Sequence, residues 1–509
     1  FSGATPGVRG RVAQLNDVFP LGLIEFFHFA GGLAGAALVI LAWGLQRRLD
    51  AAHRMAIGVL TLGIVASLLK GLDWEEALVL TLILVAMWAA RSTFYRKSEL
   101  LEEPLGPAWI VALTIVMGAT IWLGYFSYKD VGLSNDLWFR FTRAGDAPRF
   151  MRATLGAFGV LIIFAMMRLM RRAKPEPAPP DAQELARAKQ LVRRASSANG
   201  NLVLLGDKSL MFSATGNSML MYGISGRSWI ALGDPIGTKL EIGELAWRFH
   251  EEADRHGGRT VFYQVRMENI PLYIDLGLTL LKLGEEAIVP LETFDLEGSR
   301  RKGFRYTLKS LRQEGARFSV VDSAGLSELF PQLRRVSDDW LTTRKAREKG
   351  FSLGRFDESY LANFPIAVVT NADRIVAFAN LMTTDDRSEI AIDLMRYTSD
   401  GPPSVMEFLL IELMLWAKEN GYRRLSIGVA PLSGIEDRAL APAWTRAASV
   451  IYSQGEQFYN FQGLRRYKEK FDPIWEPRYL ASPAGLALPR ILANTTALIS
   501  GGFRGAIGN

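Results

Sequence analysis

The sequence contains no cysteine and only four histidines among its 509 residues. The absence of thiols excludes disulfides, thiolate metal sites and a cysteine nucleophile. Two of the histidines, His250 and His256, lie in "HEEADRH", where their spacing does not fit the H-E-x-x-H zinc motif. We therefore expect neither a histidine-based zinc site nor a Ser-His-Asp triad.

Nucleotide-binding signatures are also lacking. The stretch "GDPIGTK" (233–239) has a glycine spacing one residue short of a P-loop, and Lys239 is not followed by Ser or Thr. The stretch "GISGRS" does not match the G-x-S-x-G of a nucleophile elbow. Both stretches are interpreted as tight turns between strands.

Apolar residues are abundant, at 49% of the chain, and they concentrate near its beginning. A membrane span needs about 20 apolar residues, fewer where flanking cations reach the interface. Five runs meet this description and predict five membrane spans: 23–45, 54–70, 75–90, 107–126 and 153–170. An amphipathic set lying on the membrane is disfavoured because these runs lack a polar face.

The charges between the apolar runs indicate an orientation. Basic connections alternate with the acidic "KGLDWEE", and the positive-inside rule then places everything after Arg172 in the cytoplasm. The chain opens on Phe1 with no signal-peptide features, which predicts a part of a longer protein. Its net charge of +7 suits an acidic partner, either nucleic acid or anionic lipid.

After the Pro-rich stretch "KPEPAPPDAQE" the composition becomes that of an α/β protein. Short strands punctuated by glycine alternate with amphipathic helices in two series of similar rhythm, which predicts two mixed α/β units packed together. The predicted organisation is a transmembrane block (1–172), a linker (173–198), a first subdomain (199–298), a basic linking helix (299–315), a second subdomain (316–484) and a tail (485–509).

Two segments are rich in cations. The first, "SRRKGFRYTLKSLRQEG" (299–315), has almost no acidic residues to pair with its cations at helical spacing, which favours binding of nucleic acid or lipid headgroups over a merely solvated face. Its cations are Arg300, Arg301, Lys302, Arg305, Lys309 and Arg312. The second, "FQGLRRYKEKFDP" (461–473), places Lys468 and Lys470 on one face if the chain is extended and on different faces if it is helical.

The strand "SEIAIDLMRY" (388–397) carries the candidate chemical residues. On a regular strand, Asp393 and Arg396 point to opposite faces unless the strand bulges between them. A carboxylate among apolar neighbours is costly unless it is paired, so a structural salt bridge is the favoured interpretation from these residues alone. Glu314, just before Gly315, is interpreted most simply as a surface residue at a helix end.

Several stretches together resemble the multiple peptide resistance factor family, the aminoacyl-phosphatidylglycerol synthases. The resemblance covers essentially the whole chain and rests on "GDPIG", "EEAIVPLETFDLEGSRRKGFR", "REKGFSLGRFDESYL", "DLMRY…PPSVMEFLL", "LSIGVAPLSG", "FYNFQGLRRYKEKFDPIWEPRYLA", and, near the start, "FSGATPG", "PLGLIEFFHFAGGLAG" and "KGLDWEEA". It implies a transmembrane helical block followed by a cytosolic α/β, tandem acetyltransferase-like domain. It also implies an enzyme that moves an aminoacyl group, expected to be lysyl, from aminoacyl-tRNA to phosphatidylglycerol.

The family pattern implies roles for individual residues. Asp393 and Arg396 match its D-x-x-R, Glu314 matches an acidic position after the linking helix, and all three are expected to be catalytic. This overturns the preference for a structural Asp393. The basic pair before "FDP", with its neighbours, is expected to bind substrate: Lys468, Lys470, Arg465 and Tyr467. The six cations of 299–315 are expected to bind tRNA.

The chemistry is consistent with these roles. An aminoacyl ester is already activated, so neither ATP nor a metal or other cofactor is expected, and positioning, charge stabilisation and proton movement remain. Asp393 is assigned either to the α-ammonium of the amino acid or to the proton of the lipid hydroxyl. The cations are assigned to tRNA phosphates, the lipid phosphate or the developing oxyanion, and Tyr467 to stacking on the 3′-terminal bases.

The resemblance also implies partners and a location. These are aminoacyl-tRNA, phosphatidylglycerol, the bilayer of the bacterial cytoplasmic membrane, an N-terminal flippase block of the same protein and, as an open alternative, a second copy in a homodimer. A lysyl product would weaken the negative surface potential that attracts cationic antimicrobial peptides, whereas an alanyl product would only neutralise it. Rival interpretations are an alanyl-specific synthase, a flippase with a regulatory soluble domain, a tRNA-binding module, and an acyl-CoA N-acyltransferase, whose pyrophosphate loop has no match here.

Overall fold

The structure, a computed structural model, describes residues 34–96 apart from six positions, residue 159, residues 177–435 and residues 461–501. The chain divides into two compact units, the first formed mainly by residues 1–175 and the second by the rest. Three of the predicted spans (23–45, 107–126 and 153–170) lie wholly or mostly outside the described residues, as do the loop between the last two spans and the end of the tail.

The first unit contains two described apolar helices, α1 (Asp50–Gly71) and α2 (Trp74–Ala89). They match the predicted runs 54–70 and 75–90. Many large apolar side chains on both helices are exposed, for example Leu62, Leu82 and Trp88. Within the described part of the chain, one helix, over Asp50–Leu69, has the length and composition to cross a membrane. The expected number of five spans therefore stays a prediction.

The second unit begins with a helix and a sheet edge. Its first half contains α3 (Ala182–Arg193), a 3₁₀ segment (Ala198–Leu205), β1 (Ser209–Phe212), β2 (Met219–Ser225), β3 (Ser228–Leu232), α4 (Lys239–Arg255), β4 (Arg259–Arg266), α5 (Ile270–Asp275) and β5 (Thr279–Pro290). Helix α3 starts at a capping box in which Asp181 and Glu184 bond each other's backbone N–H groups.

The second half repeats this alternation. It contains α6 (Lys302–Gln313), β6 (Arg317–Val321), α7 (Phe330–Thr343), α8 (Glu358–Leu361), β7 (Ile366–Asn371), β8 (Arg374–Thr383), β9 (Glu389–Tyr397), α9 (Val405–Glu419), β10 (Arg424–Pro431), α10 (Phe461–Glu469), β11 (Ile474–Ser482) and α11 (Leu488–Ile499).

All eleven described strands form one sheet, in the order β1-β2-β3-β4-β11-β5-β10-β9-β8-β7-β6. In each half an antiparallel series leads through a helix to a parallel pair, β3 with β4 and β9 with β10. The last strands of the halves are exchanged: β5 pairs with β10 of the second half, and β11 pairs with β4 of the first. The exchanged strands also pair with each other at the centre of the sheet.

Alternating side chains bury both faces of the sheet. In β7, Ile366 and Val368 face a core shared by both halves, which includes α3, the 3₁₀ segment, α7, α8 and α11. Ala367 and Val369 of the same strand face a separate core against α6 and α9. The corresponding face of the first half packs against α4 and α5. The α/β class expected from the sequence is therefore confirmed for this unit.

Two local expectations differ from the structure, and a third agrees with it. "NLVLLGD" (201–207), expected to be a strand, lies mostly within the 3₁₀ segment, because its continuous apolar run fits either conformation. The helix expected from residue 326 to residue 350 is α7, which ends at Thr343. The basic linking helix is confirmed as α6, which begins at Lys302.

Candidate functional site

The parallel strands β9 and β10 separate partway along their length. Arg424–Ser426 of β10 pair with Glu389–Ala391 of β9, and no further pairs between these strands are found within the described residues. Beyond this point, residues 392–397 and 427–431 border an opening that we call the β9–β10 notch. Asp393 lies two positions past the last paired residue of β9, and Gly428 two positions past that of β10. Both borders of the notch therefore carry residues of interest.

A bulge in β9 sets the direction of Asp393. The β8–β9 pairing shifts between Ala379 and Leu381, so that Asp393 and Leu394 together lie opposite the single residue Asn380. The Asn380 side chain fixes this bulge by accepting the Leu394 N–H at 2.7 Å. Asp393 and Arg396 consequently both meet partners from the shared-core side. The expectation that they point apart holds for a regular strand and fails here because the strand bulges.

Asp393 is held by two donors. Its carboxylate accepts the Gly354 N–H at 2.8 Å and the Tyr360 hydroxyl at 2.7 Å. A Cβ at position 354 would lie 1.8 Å from the nearer carboxylate oxygen, so only glycine permits this approach. Burial raises the pKa of Asp393, although these donors and the Lys208 and Arg396 charges oppose the shift.

A second carboxylate holds the same loop from the other side. Asp207 accepts the Phe351 N–H at 2.8 Å and the ammonium of Lys208 at 2.5 Å. Lys208 is buried, and its ammonium also donates to the Leu202 carbonyl at 2.8 Å. Burial lowers the pKa of Lys208, while Asp207 and Asp393 raise it. Residues 350–354 are thus fixed between Asp207 and Asp393.

Arg396 has a carboxylate partner other than Asp393. Its guanidinium donates to both oxygens of Glu348, at 2.8 and 2.7 Å, and also to the Ser337 hydroxyl. The guanidinium lies over the Trp340 ring, 5.4 Å from the centroid. The side chain of Arg396 is only 4% exposed and that of Glu348 32% exposed. Bidentate pairing of this kind fixes Arg396 in position beside the notch.

Lys468 borders the notch from the β10 side. It lies in helix α10, and its ammonium donates to the Gly428 carbonyl at 2.9 Å and to the Val429 carbonyl at 3.1 Å. Burial lowers the pKa of Lys468 to about 8, and the charge of Glu286 opposes this shift. Lys468 is therefore close to its titration range at neutral pH.

The other residues of the second cationic segment have separate partners. Lys470 extends to Glu407 of α9 at 2.7 Å, so the two lysines diverge as expected for a helical segment. Arg465 donates to Glu285 at 2.5 Å and lies over the Trp475 ring. Tyr467 packs edge-on against Phe471, and its buried hydroxyl has no hydrogen-bond partner in the described part of the chain. Burial raises the pKa of Tyr467.

Four of the six cations around α6 are used within the fold. Arg300 and Arg301 pair with Asp472, and Arg305 donates to the carbonyls of Leu296 and Gly298. Arg312 pairs with Glu412 of α9 at 2.7 Å.

The remaining two cations of α6 flank an aromatic residue. Lys302 and Lys309 are exposed and have no partner among the described residues, and Tyr306 between them is 73% exposed. A surface depression of about 460 Å³ beside them is lined by Arg305, Leu308, Lys309, Arg312 and Gln313. The outward-facing stripe Lys302–Tyr306–Lys309 is therefore the part of α6 available to a ligand.

Glu314 lies at the end of α6, where its exposed side chain accepts the Ser310 hydroxyl at 2.8 Å. Its expected catalytic role stays a prediction. The residues that reasoning from the sequence missed are Gly354, Tyr360, Glu348 and Lys208. The first three lie within the family-like stretch "REKGFSLGRFDESYL", which was the available signal for them. In the described part of the chain, no cluster of three or more histidines and carboxylates could hold a metal ion.

The sequence is similar to known proteins over the region that contains the notch and α6. A family model described as "Phosphatidylglycerol lysyltransferase, C-terminal" matches residues 188–482, which include the notch and α6. The phosphatidylglycerol lysyltransferase of Bacillus subtilis (strain 168) is 35% identical over 475 residues, 91% of this chain and 54% of its own length. That of Staphylococcus aureus (strain MRSA252) is 37% identical over 281 residues, 55% of this chain and 33% of its own. The chain thus spans about half or less of the curated relatives it matches.

Two solved structures resemble the second unit. A C-terminal domain from Agrobacterium fabrum is 42% identical, with a TM-score of 0.58, and the match covers 64% of this chain and 99% of that one. The structure titled as L-PGS from Bacillus licheniformis is 38% identical, also with a TM-score of 0.58, and the match covers 64% of this chain and 98% of that one.

Proposed function

The chain belongs to the phosphatidylglycerol lysyltransferase family, and from that premise we propose that it transfers a lysyl group from lysyl-tRNA to phosphatidylglycerol. A glycerol hydroxyl of the lipid attacks the ester carbonyl of the aminoacyl-tRNA. One ester bond forms, the ester bond to the terminal ribose breaks, and the proton passes overall from the lipid to the ribose oxygen. The reaction exchanges one ester for another and needs no external source of energy.

The observation that carries this proposal is the β9–β10 notch with Asp393 on one border and Lys468 on the other. Asp393 is a buried carboxylate with two fixed donors, and Lys468 is a buried ammonium whose partners among the described residues are two neutral carbonyls. A positioned base and a fixed cation are what transfer from an activated ester requires. As part of the same proposal, the two halves of the second unit are two acetyltransferase-like folds in tandem.

Asp393 has two candidate roles, which differ in their kinetics. As an anchor for the α-ammonium of the amino acid it would contribute to binding of aminoacyl-tRNA, so Asp393→Asn would raise KM for that substrate. As the group that receives the proton of the lipid hydroxyl it would act in the transition state, so the same change would lower kcat by about 10²–10⁴-fold.

The donor is assigned to α6. The exposed stripe Lys302–Tyr306–Lys309 offers, around an aromatic ring, two cations that have no partner in the described ranges, the combination used to hold a single-stranded RNA end. The helices α1 and α2 are assigned to the cytoplasmic membrane as part of a multi-pass block, with the second unit in the cytoplasm. A cationic lysyl lipid would lower the attraction of the membrane for cationic antimicrobial peptides. A flippase block and a homodimer stay predictions.

The test mixes the purified full chain with phosphatidylglycerol vesicles and either radiolabelled lysyl-tRNA or alanyl-tRNA, followed by separation of the lipids. Label in the lipid from lysyl-tRNA alone is the expected result, and label from alanyl-tRNA alone would instead support the alanyl-specific rival. Asp393→Asn should abolish most of the transfer, while the matched control Asp275→Asn, on an exposed helix end, should not. Folded protein that binds tRNA but labels no lipid would contradict the proposal.

A further inference from the structure

Glu286 is a buried carboxylate that has no assigned role in the proposed transfer reaction. It lies in β5 and is only 1% exposed. One of its oxygens accepts the Ser426 hydroxyl at 2.5 Å and the Asn199 amide at 3.0 Å, and the other accepts the Arg478 guanidinium. Burial would raise the pKa of Glu286, but Arg478 and the two hydrogen bonds outweigh it, so its pKa is lowered and the group is ionised.

Through Ser426, Glu286 reaches a bulge in β10. Ser426 pairs with Ile288 and Val429 pairs with Glu286, so Ile427 and Gly428 together lie opposite one residue of β5. The Ser426 hydroxyl donates to Glu286 and accepts the Gly428 N–H at 3.3 Å. Gly428 has a φ of +83°, a conformation that side chains rarely adopt. Through the Ser426 hydroxyl, the Glu286 carboxylate therefore fixes the backbone of the bulge at Gly428.

This bulge carries the two hydrogen-bond acceptors that Lys468 has among the described residues. The carbonyls of Gly428 and Val429 are the two groups to which its ammonium donates. Both are neutral, so a cation held there depends on a negative charge further away. Glu286, which pairs with Val429 across the strands, is the carboxylate found to act on Lys468 among the described residues.

Three other charged groups near α10 have ion-pair partners within the described part of the chain, and one of them, Arg478, shares Glu286 with Lys468. Arg465 pairs with Glu285 and Glu469, and Lys470 pairs with Glu407. On β11, Arg478 pairs with Glu286 and Glu476. Among the described residues, one buried carboxylate thus acts on Lys468 by two routes, its charge and the Ser426 bridge.

We propose that Glu286 is a positioning residue for Lys468: through Ser426 it holds the β10 bulge that supplies the two carbonyl acceptors, and it places a buried negative charge on the neighbouring strand. The inference rests on the proposed function in one respect, the participation of Lys468 as a cation in transfer. The coupling between the two side chains does not depend on that function and is measurable by itself.

The first experiment measures the ionisation of Lys468 in the full chain. Competitive labelling with acetic anhydride across a pH series, read by mass spectrometry, gives the pKa of this one amine, which we expect at about 8 in the wild type because burial lowers it. Glu286→Gln keeps the shape of the side chain and removes its charge, and should lower that pKa by about one unit. The matched control is Glu389→Gln. Glu389 is also a buried carboxylate, held by the Ala198 N–H and Arg424, and its replacement should leave the pKa of Lys468 unchanged. No shift in Glu286→Gln, or an equal shift in both variants, would overturn the coupling.

The second experiment measures the pH profile of kcat/KM for lipid aminoacylation. The alkaline limb should move to lower pH in Glu286→Gln by the shift found in labelling, because Lys468 then loses its proton earlier. Ser426→Ala keeps the charge and removes the bridge, so it should lower kcat about tenfold without moving the limb. A limb that stays in place despite a shifted pKa would overturn the role in transfer, and so would a wild-type rate in Ser426→Ala.

These readouts separate the two proposals. If the wild-type chain forms no lipid product, the proposed function fails, and the labelling result still decides whether Glu286 sets the ionisation of Lys468. If Glu286→Gln does not fold, as judged by thermal unfolding, Ser426→Ala decides the positional route. A kcat of Ser426→Ala equal to that of the wild type would then overturn the proposal.

Discussion

Asp393 combines a proposed chemical role with a cost to stability. Because burial raises its pKa, the folded protein keeps a proton at pH values where the unfolded chain, with an aspartate pKa of about 3.9, has lost it. Stability contributed by this group is therefore greatest below the unfolded pKa and falls as the pH rises through the folded pKa. The group is thus least favourable to folding at neutral pH, where the enzyme would work.

The change Asp393→Asn should remove this penalty. We compare the midpoint of thermal unfolding of the variant with that of the wild type. The variant minus wild-type difference should become more positive as the pH rises from about 4 to about 7. Lipid transfer should be lost in the same variant. Differential scanning calorimetry at a series of pH values measures the difference in midpoint. Asp275→Asn should show a flat difference, and a difference for Asp393→Asn that becomes more negative with pH would refute the argument.

At the level of single residues, sequence reasoning selected Asp393, Arg396 and Lys468 as candidates but did not predict their partners. The pairing of Arg396 with Glu348 joins a strand to a loop far earlier in the chain, and no periodicity connects them. The direction of Asp393 depends on a bulge that Asn380 of the neighbouring strand fixes. Both features are set by tertiary contacts, which local patterns do not contain.

Helix α6 has one buried apolar face and one exposed cationic face. Its apolar residues Phe304, Leu308 and Leu311 are buried against the second half, so that face is not free to enter a lipid bilayer. The outward stripe of Lys302, Tyr306 and Lys309 is exposed. This division favours RNA over lipid as the occupant of the stripe.

Replacing Lys302 and Lys309 together by alanine should weaken tRNA binding without unfolding the protein. Each lysine that contacts a phosphate should contribute about one unit to the slope of log affinity against log salt concentration. Filter binding at several salt concentrations measures that slope, and the exposed Lys239→Ala, on α4, serves as the control. An unchanged slope in the double variant would exclude this stripe from the tRNA interface.

Elements with clear apolar periodicity, such as α4, α9 and the strands β7 to β9, were predicted from the sequence. Strands β5 and β11 were not. Each carries charged residues in its middle, Glu285 and Glu286 in β5 and Glu476 and Arg478 in β11, which argue locally against a buried strand. Arg478 of β11 pairs with Glu286 of β5 across the sheet and with Glu476 of its own strand, while Glu285 pairs with Lys282 and with Arg465 of α10. This compensation becomes visible only when the strands are paired.

At the scale of the second unit, the exchange of β5 and β11 joins the two halves into one sheet. Both halves have the same rhythm of strands and helices, so the sequence does not indicate which half a given strand completes. Strand β11 pairs with β4 and β5, and α11 packs on the first half, where Asn494 bonds Ser228 of β3 at 2.9 Å. The end of the described chain therefore stabilises its first half.

This connection predicts an unusual response to truncation. Deleting residues 474–509 should reduce the hydrogen-exchange protection of β4 by roughly tenfold or more, about 1.4 kcal/mol of local stability, while β7 and β8 are affected less. The reason is that β4 loses its neighbour in the sheet, whereas β7 keeps both of its own, β6 and β8. Mass-spectrometric hydrogen exchange on the full chain and the truncated chain measures it, with deletion of residues 502–509 as the control. If β7 and β8 lost protection while β4 kept it, the halves would be independent and the exchanged strands would not be what couples them.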